Sequence, residues 1–573
     1  MEHKLACALA SVRSKPLTHA MPDEAMATHP NRLLWLGVIL ALVAGLPFLN
    51  KPFHIDDTVV LAVAKQITRD PLRPLSADIN WFGDPRSLFQ ETTNPPFVSY
   101  FLAPVVAGFG YSEAPLHLAM LVFLIILGVA MASLSRRFAG GSPWPVLFVM
   151  LSPAVVVSTN VMRDVPLAAL SAAAAALFVA GVDRRRWPLA LAGGLVAGLA
   201  ILTKYSGVVL VPALMLYALL QRRSRYALWP LVALVVLGLW CLQNLLVHGR
   251  LHLTYLMAER RGEIAFQDRF YATWVTLGAC LFLLPALVAA FARRAGAGLL
   301  ACAAIAAGFA LYGARLHLQG PVGWQYGLWA ITGAALAFLL IVPGLAAARR
   351  LFTRDDGDAA DSFFLAAWLI GVLAFSIFFV MFQAVRHVIP ALVPAALLAI
   401  RVMPRIRWLS VVLGVLLALQ ALVAFAVAAA DYEYADTYRA FAREAQRRLA
   451  RPGHEVWFVG HWGWQRYALS AGFTQAASRG PRPRPGSLFI VPERVDKGSQ
   501  PEGLALKQIE EKTCRGRIPI HTMDGSVGAS FYSVVGRAMP YVFTRERTLE
   551  TFRVFRVGAK DECRMTNDEF GLP

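Results

Sequence analysis

Seven ionisable residues stand where long apolar runs begin or end: Asp56, Asp57, Arg163, Asp164, Lys204, Arg386 and His387. "KPFHIDDTVV" puts two adjacent carboxylates just past the first apolar run, and "STNVMRDVPLAAL" opens another run on an Arg-Asp pair. "GLAILTKYSGVVLVP" holds a lysine between two runs so tightly joined that it can hardly leave the membrane boundary, and "MFQAVRHVIPALVP" places Arg386 and His387 at a further turn. An ionisable group within a span costs about 2.5–3.5 kcal/mol at the bilayer centre, so each is a functional candidate. Singly, each also reads as a solvated helix cap or a cation reaching up to the interface. As a set they suit group transfer from a lipid phosphate to a hydroxyl or amine. The cations hold a phosphate leaving group, and a carboxylate deprotonates or orients the nucleophile.

That chemistry needs all seven residues at one level of one membrane. The chain has 573 residues, 57% hydrophobic and 16% charged, too few charges for a soluble protein of this size. About thirteen spanning segments of about 16–24 residues are expected. They lie near 32–49, 115–135, 143–159, 164–182, 188–203, 205–220, 227–247, 271–292, 297–312, 325–347, 363–383, 387–401 and 407–430. "SRRFAGGS", "DRRRW", "QRRSRY", "ARRAGAG", "ARRLFTRDDGD" and "RVMPRIRW" all fall at even crossings, and arginine-bearing short loops mark the cytoplasmic face. The seven residues then face outward, with the loop 50–114 and everything after 431. The net charge of +19 is accounted for by these loops, and no nucleic-acid partner is expected. Residues 1–31 form a polar cytoplasmic tail without the apolar core of a signal peptide, so the first apolar run is expected to be a retained helix.

The order of these motifs resembles glycosyltransferase family 39, the bacterial protein O-mannosyltransferase-like and aminoarabinose-transferase-like members of the GT-C superfamily. The resemblance rests on "HIDD", "TNPPFVSYFLAPVVAGFGYSEAPLHL", "RDVPLAAL", "LTKYSGVVLVP", "QNLLVHG", "RHVIPALVPAALL" and "VWFVGHWGWQRYALSAGF". It implies a GT-C transmembrane domain over 32–430 and transfer with inversion from a polyprenyl-phosphate sugar to a lipid, glycan or protein acceptor at the outer face of the bacterial inner membrane. Asp56 matches the catalytic carboxylate, Asp57 supports it or takes over part of its catalytic role, and Asp164 matches the second acidic residue. Lys204, Arg386 and His387 match positions near the donor phosphate, and Asn94, Pro95, Pro96 and Arg163 belong to the loop and substrate cavity. Asn94 stands where many members carry histidine and His387 where tyrosine is usual, which weakens a metal site built on a loop histidine. Some relatives bind a divalent metal and others work without one, so no cofactor is assigned.

From 431 the composition turns polar. "DTYRAFAREAQRRLA" has the period of an amphipathic helix, while "EVWFVG" and "SLFIVPE" read as buried strands flanking a helical "QRYALSAGF". A small periplasmic α/β domain over 431–573 is expected. It holds Cys514 and Cys563, with 48 residues between them; a disulfide there could contribute about 3–5 kcal/mol. The rival readings are a transporter or flippase of lipid-linked sugars and a structural or sensory membrane protein. The first would place its charges near the midplane rather than at one leaflet.

Overall fold

The structure is a computed structural model, and it describes residues 30–259, 265–280, 320–353, 356–380, 382–403, 409–450, 455–533 and 539–558. Among these, eight helices are long and apolar enough to cross a membrane: Asn31–Phe48, Glu113–Phe138, Asp164–Asp183, Ser224–His248, Gly323–Leu351, Gly357–Phe379, Val385–Val402 and Leu409–Leu449. Phe97–Phe109, Trp187–Thr203 and Tyr205–Leu220 are shorter apolar helices. The architecture is the expected polytopic α-helical membrane protein, although the count of about thirteen spans is not reproduced among the described residues. The segment 297–312 and most of 271–292 lie outside them. The expected span 143–159 is instead two short helices, Trp144–Met150 and Pro153–Val157. Ser152 breaks the run by capping the second helix, accepting a hydrogen bond from the Val155 amide at 3.2 Å, and Pro153 cannot continue the first.

Small residues let the helices approach closely where lipid supplies no hydrophobic drive. A Cβ on Gly37 would lie 2.4 Å from the Gly128 carbonyl oxygen, and one on Gly128 would lie 2.3 Å from that of Gly37. The first span thus packs backbone to backbone on Glu113–Phe138.

Two helices run from the functional end to the arginine-bearing end. Asp164–Asp183, about 30 Å long at 1.5 Å per residue, starts at Asp164 and ends at Asp183. Asp183 meets Arg137 Nε at 2.5 Å, and Arg137 also binds Asp361 at 2.6 Å. Val385–Val402 carries Arg386 in its first turn and Arg401 in its last, where Arg401 meets Asp358 at 2.6 Å. Charges from four of the arginine-bearing loops or their flanks therefore gather at the end opposite Asp164 and Arg386.

The expected domain boundary at 431 falls inside one continuous 41-residue helix, Leu409–Leu449. At about 62 Å it is twice the bilayer core, so its apolar first half spans while its second half carries the C-terminal domain. There Tyr438 and Phe441 pack under a five-stranded mixed sheet, with Phe441 stacked on Phe552. The strand order is Thr474–Gln475, Val456–Phe458, Leu488–Pro492, Thr548–Val557, Leu506–Arg515. The first three are parallel and Thr548–Val557 is antiparallel to both its neighbours. The α/β expectation holds for Val456–Phe458, Leu488–Pro492 and the intervening helix Trp462–Ser470. Cys514 lies half-buried on Leu506–Arg515, while Cys563 lies outside the described residues.

The first long loop is stitched to this domain. Its hairpin Asp78–Asn80/Pro85–Ser87 places Asp84 to accept hydrogen bonds from Ser478, and Trp81 stacks on His461 with ring centroids 4.6 Å apart.

Candidate active site

Asp56 follows a tight turn. The His54 amide donates to Asp57 Oδ2 at 2.8 Å, and the Asp57 amide donates back to the His54 carbonyl at 3.0 Å. Between them Ile55 has a φ of 45°, a left-handed conformation that a β-branched residue adopts only under outside restraint. The turn aims Asp56 and Asp57 in different directions. Asp56 faces a cavity of about 700 Å³, and a third of its side-chain surface (34%) opens there. Asp57 is fully buried and does not line that cavity.

Three further segments bring charge to the same wall. The buried turn 158–163 ends at Arg163 and Asp164, where the Asp164–Asp183 helix begins. Lys204 is extended, breaking Trp187–Thr203 from the short helix that follows, and its ammonium donates to Asp164 Oδ1 at 2.6 Å. Arg386 donates to Asp56 Oδ2 at 2.5 Å and approaches the Met162 sulfur at 3.6 Å. Arg163, only 7% exposed, lines the cavity with its Nε and Nη2 atoms unpartnered.

Of the other expected residues, Asn94 and His387 also line the cavity, while Pro95 and Pro96 are buried behind Asn94. Arg269, Tyr205 and Thr93 were not foreseen. Arg269 donates to the Val380 carbonyl at 3.1 Å; an arginine at the start of an apolar run was the available signal. Tyr205 meets His252 Nδ1 at 2.9 Å, and His252 Nε2 reaches the Thr92 carbonyl at 3.0 Å, which fixes the strip carrying Thr93 and Asn94. Nothing in the sequence marks that pairing.

Four cations (Arg163, Lys204, Arg269 and Arg386) therefore face two carboxylates, Asp56 and Asp164. The rest of the wall is largely apolar, including Leu167, Val208, Trp368, Phe375 and Phe379. A surplus of positive charge in a low-dielectric cleft suits an anion, and the apolar wall suits a hydrocarbon chain. Burial would raise the Asp56 carboxyl, but the Arg386 guanidinium, with Arg163 and Lys204 beyond it, outweighs burial and holds Asp56 below its ordinary value. Among the described residues no group of three or more His, Cys, Asp or Glu side chains could hold a metal ion. Asp56 and Asp164 each face a cation instead, so these residues do not fit a metal site.

Residues 93–248 match the family model of dolichyl-phosphate-mannose-protein mannosyltransferase. The match takes in Asn94, Arg163, Asp164 and Lys204, and stops short of half the chain. It bears out the resemblance drawn from the sequence, and with it the reading of the chain as a glycosyltransferase. A search of curated proteins finds no sequence match. Among solved structures, ArnT from Cupriavidus metallidurans bound to undecaprenyl phosphate is similar, at 18% identity and a TM-score of 0.38. The alignment covers 80% of this chain and 92% of that one. The archaeal oligosaccharyltransferase AglB from Archaeoglobus fulgidus, in complex with an inhibitory peptide and a dolichol-phosphate, is 14% identical with a TM-score of 0.44. There the alignment covers 78% of this chain and 64% of that one.

Proposed function

We propose that the chain is an inverting glycosyltransferase of GT-C type that takes its sugar from a polyprenyl-phosphate carrier. The observation that carries this is the pairing of Asp56 with Arg386 and Asp164 with Lys204 beside Arg163, whose Nε and Nη2 are unpartnered, on a cavity with a largely apolar wall. The isoprenoid lies along that wall and its phosphate meets Arg163, Lys204 and Arg386. Drawing Arg386 to the phosphate releases the Asp56 carboxylate to the acceptor.

The acceptor hydroxyl or amine then attacks the anomeric carbon from the face opposite the phosphate. The bond from that carbon to the phosphate oxygen breaks, and its electron pair leaves on the phosphate. The acceptor proton passes to Asp56, and the products are the inverted glycoside and polyprenyl phosphate. Asp164 keeps Lys204 aimed at the leaving oxygen. No step requires a metal ion.

The arginine-rich end is the cytoplasmic one in this reading, so the cavity opens at the outer face of the inner membrane and the C-terminal domain lies in the periplasm. A transporter is disfavoured because the cavity charges gather at one end of the spans. Lipid and glycan mass spectrometry of cells carrying the wild-type chain or Asp56→Ala tests the proposal. A glycosylated species present in the first and absent in the second supports it. Identical profiles at equal expression contradict it.

A further inference from the structure

A second cluster of buried polar groups lies beside the cavity but does not line it. Its centre is Asp431, fully buried where the Leu409–Leu449 helix turns from apolar to polar. Asp431 Oδ2 meets the Lys51 ammonium at 2.6 Å and accepts from the Tyr532 hydroxyl at 2.6 Å, while Oδ1 accepts from Thr522 at 2.7 Å. Lys51 also donates to the Val157 carbonyl at 3.1 Å, and Tyr532 accepts from the Asn160 amide at 2.7 Å. The His54 ring is held edge-on by Tyr434 and Tyr532, with centroids 5.3 and 4.9 Å away. One residue earlier, the Phe531 carbonyl accepts from the Val385 amide at 3.3 Å.

These bonds reach all three segments that bring Asp56, Asp164 and Arg386 to the cavity. Lys51 and His54 lead into the strained turn at Ile55 and so into Asp56. Val157 and Asn160 lead into Arg163 and Asp164. Val385 precedes Arg386. The common partner is a short corner of the C-terminal domain, Phe531–Tyr532, locked to the spanning helix through Asp431. A left-handed isoleucine persists only where its surroundings over-determine it, and this cluster holds Lys51 and His54, the residues that lead into it.

We infer that Tyr532 and Asp431 are positioning residues for the transfer, and that the C-terminal domain acts in the chemistry by setting the relative placement of Asp56, Asp164 and Arg386. The inference rests on the function proposed above for its kinetic consequence, but not for its geometric one. Neither residue touches the cavity, so removing the Tyr532 hydroxyl takes nothing from the substrate. It loosens the corner from both Asp431 and Asn160. A displacement of about 1 Å between reacting groups can cost about a hundredfold in rate.

The test compares the full-length Tyr532→Phe and Asp431→Asn variants with the wild type in two readouts. Steady-state transfer with a polyprenyl-phosphate sugar should show kcat lowered about 10–100-fold, with donor KM changed by less than about threefold. Cryo-electron microscopy of each variant should show Asp56 moved off Arg386 while the spans and the sheet keep their places. Thr522→Val, which removes one bond to Asp431, keeps the question open to measurement if Asp431→Asn fails to fold. Wild-type kcat with the Asp56–Arg386 contact intact in Tyr532→Phe overturns the inference. An equal loss in kcat/KM carried wholly by KM also overturns it, because it assigns the corner to binding. If Asp56→Asn transfers normally while Tyr532→Phe still displaces Asp56, the assigned role of Asp56 fails and the positioning device stands.

Discussion

Asp56 and Arg386 are 330 residues apart in the chain and meet at 2.5 Å on the wall of one cavity. The contact sets the protonation of Asp56. Burial would raise its carboxyl, and Arg386 leads Arg163 and Lys204 in holding it below the ordinary carboxylate range. Replacing Arg386 with glutamine removes the strongest lowering charge and leaves the burial. The Asp56 pKa must then rise, and with it the acidic limb of the pH–rate profile. We expect Arg386→Gln to shift that limb toward higher pH as well as lowering kcat/KM. A profile that loses amplitude without moving would show that the limb does not report Asp56.

Asp57 is expected to behave unlike its neighbour. Burial pushes its carboxyl up to about 8, against the His54 amide and Lys51, which act to lower it. The folded chain thus holds this proton to about pH 8, whereas the unfolded chain releases it near the ordinary value of 3.8. The stability from that proton is complete below the lower value and is lost as pH rises through the upper one. Asp57→Asn has no proton to lose, so its melting temperature relative to wild type should climb between about pH 4 and pH 8. Its transfer rate should stay within about tenfold of wild type, since it removes no group from the cavity. A collapse in rate with unchanged donor binding would return Asp57 to the catalytic set.

Arg163 separates binding from stability. Its unpartnered guanidinium nitrogens are buried beside the cavity, a cost to the folded state that a bound anion would offset. Arg163→Met should leave the melting temperature unchanged or higher while raising donor KM about 10–100-fold, the scale of one charge-assisted hydrogen bond. Lower stability with unaltered KM would make Arg163 a structural residue.

Cys514 and Cys563 test the assigned side of the membrane. Their domain is proposed to be periplasmic, where disulfides persist. Alkylation of the denatured, non-reduced protein should leave both thiols unmodified, and prior reduction should expose them. Labelling of both without reduction would refute the bridge, and labelling of Cys514 only from the cytoplasmic side would invert the topology.

Much of the site was legible because charge is costly at a membrane boundary. Asp56, Asp164, Lys204 and Arg386 interrupt apolar runs, and all four line the cavity. What the sequence could not convey is direction. Asp56 and Asp57 are adjacent and alike, and only the turn at Ile55 decides which one reaches the cavity. The single helix expected at 143–159 is broken in two because hydropathy counts apolar residues and does not register the break at Ser152 and Pro153. The boundary expected at 431 followed a change in composition, whereas the helix runs through it because its polar half finds a sheet to pack against. Asp431 looked like the end of a span rather than the centre of a cluster, since Lys51, Asn160 and Tyr532 share no local pattern with it.

The central claim is that Asp56 serves the transfer step itself. Single-turnover transfer from a polyprenyl-phosphate sugar by wild type and by Asp56→Asn, with carrier binding measured on the same preparations, tests it most directly. The account predicts that the asparagine variant binds the carrier and loses about 10²–10⁴-fold in the transfer rate. A variant that transfers at near the wild-type rate, at equal amounts of folded protein, would contradict it.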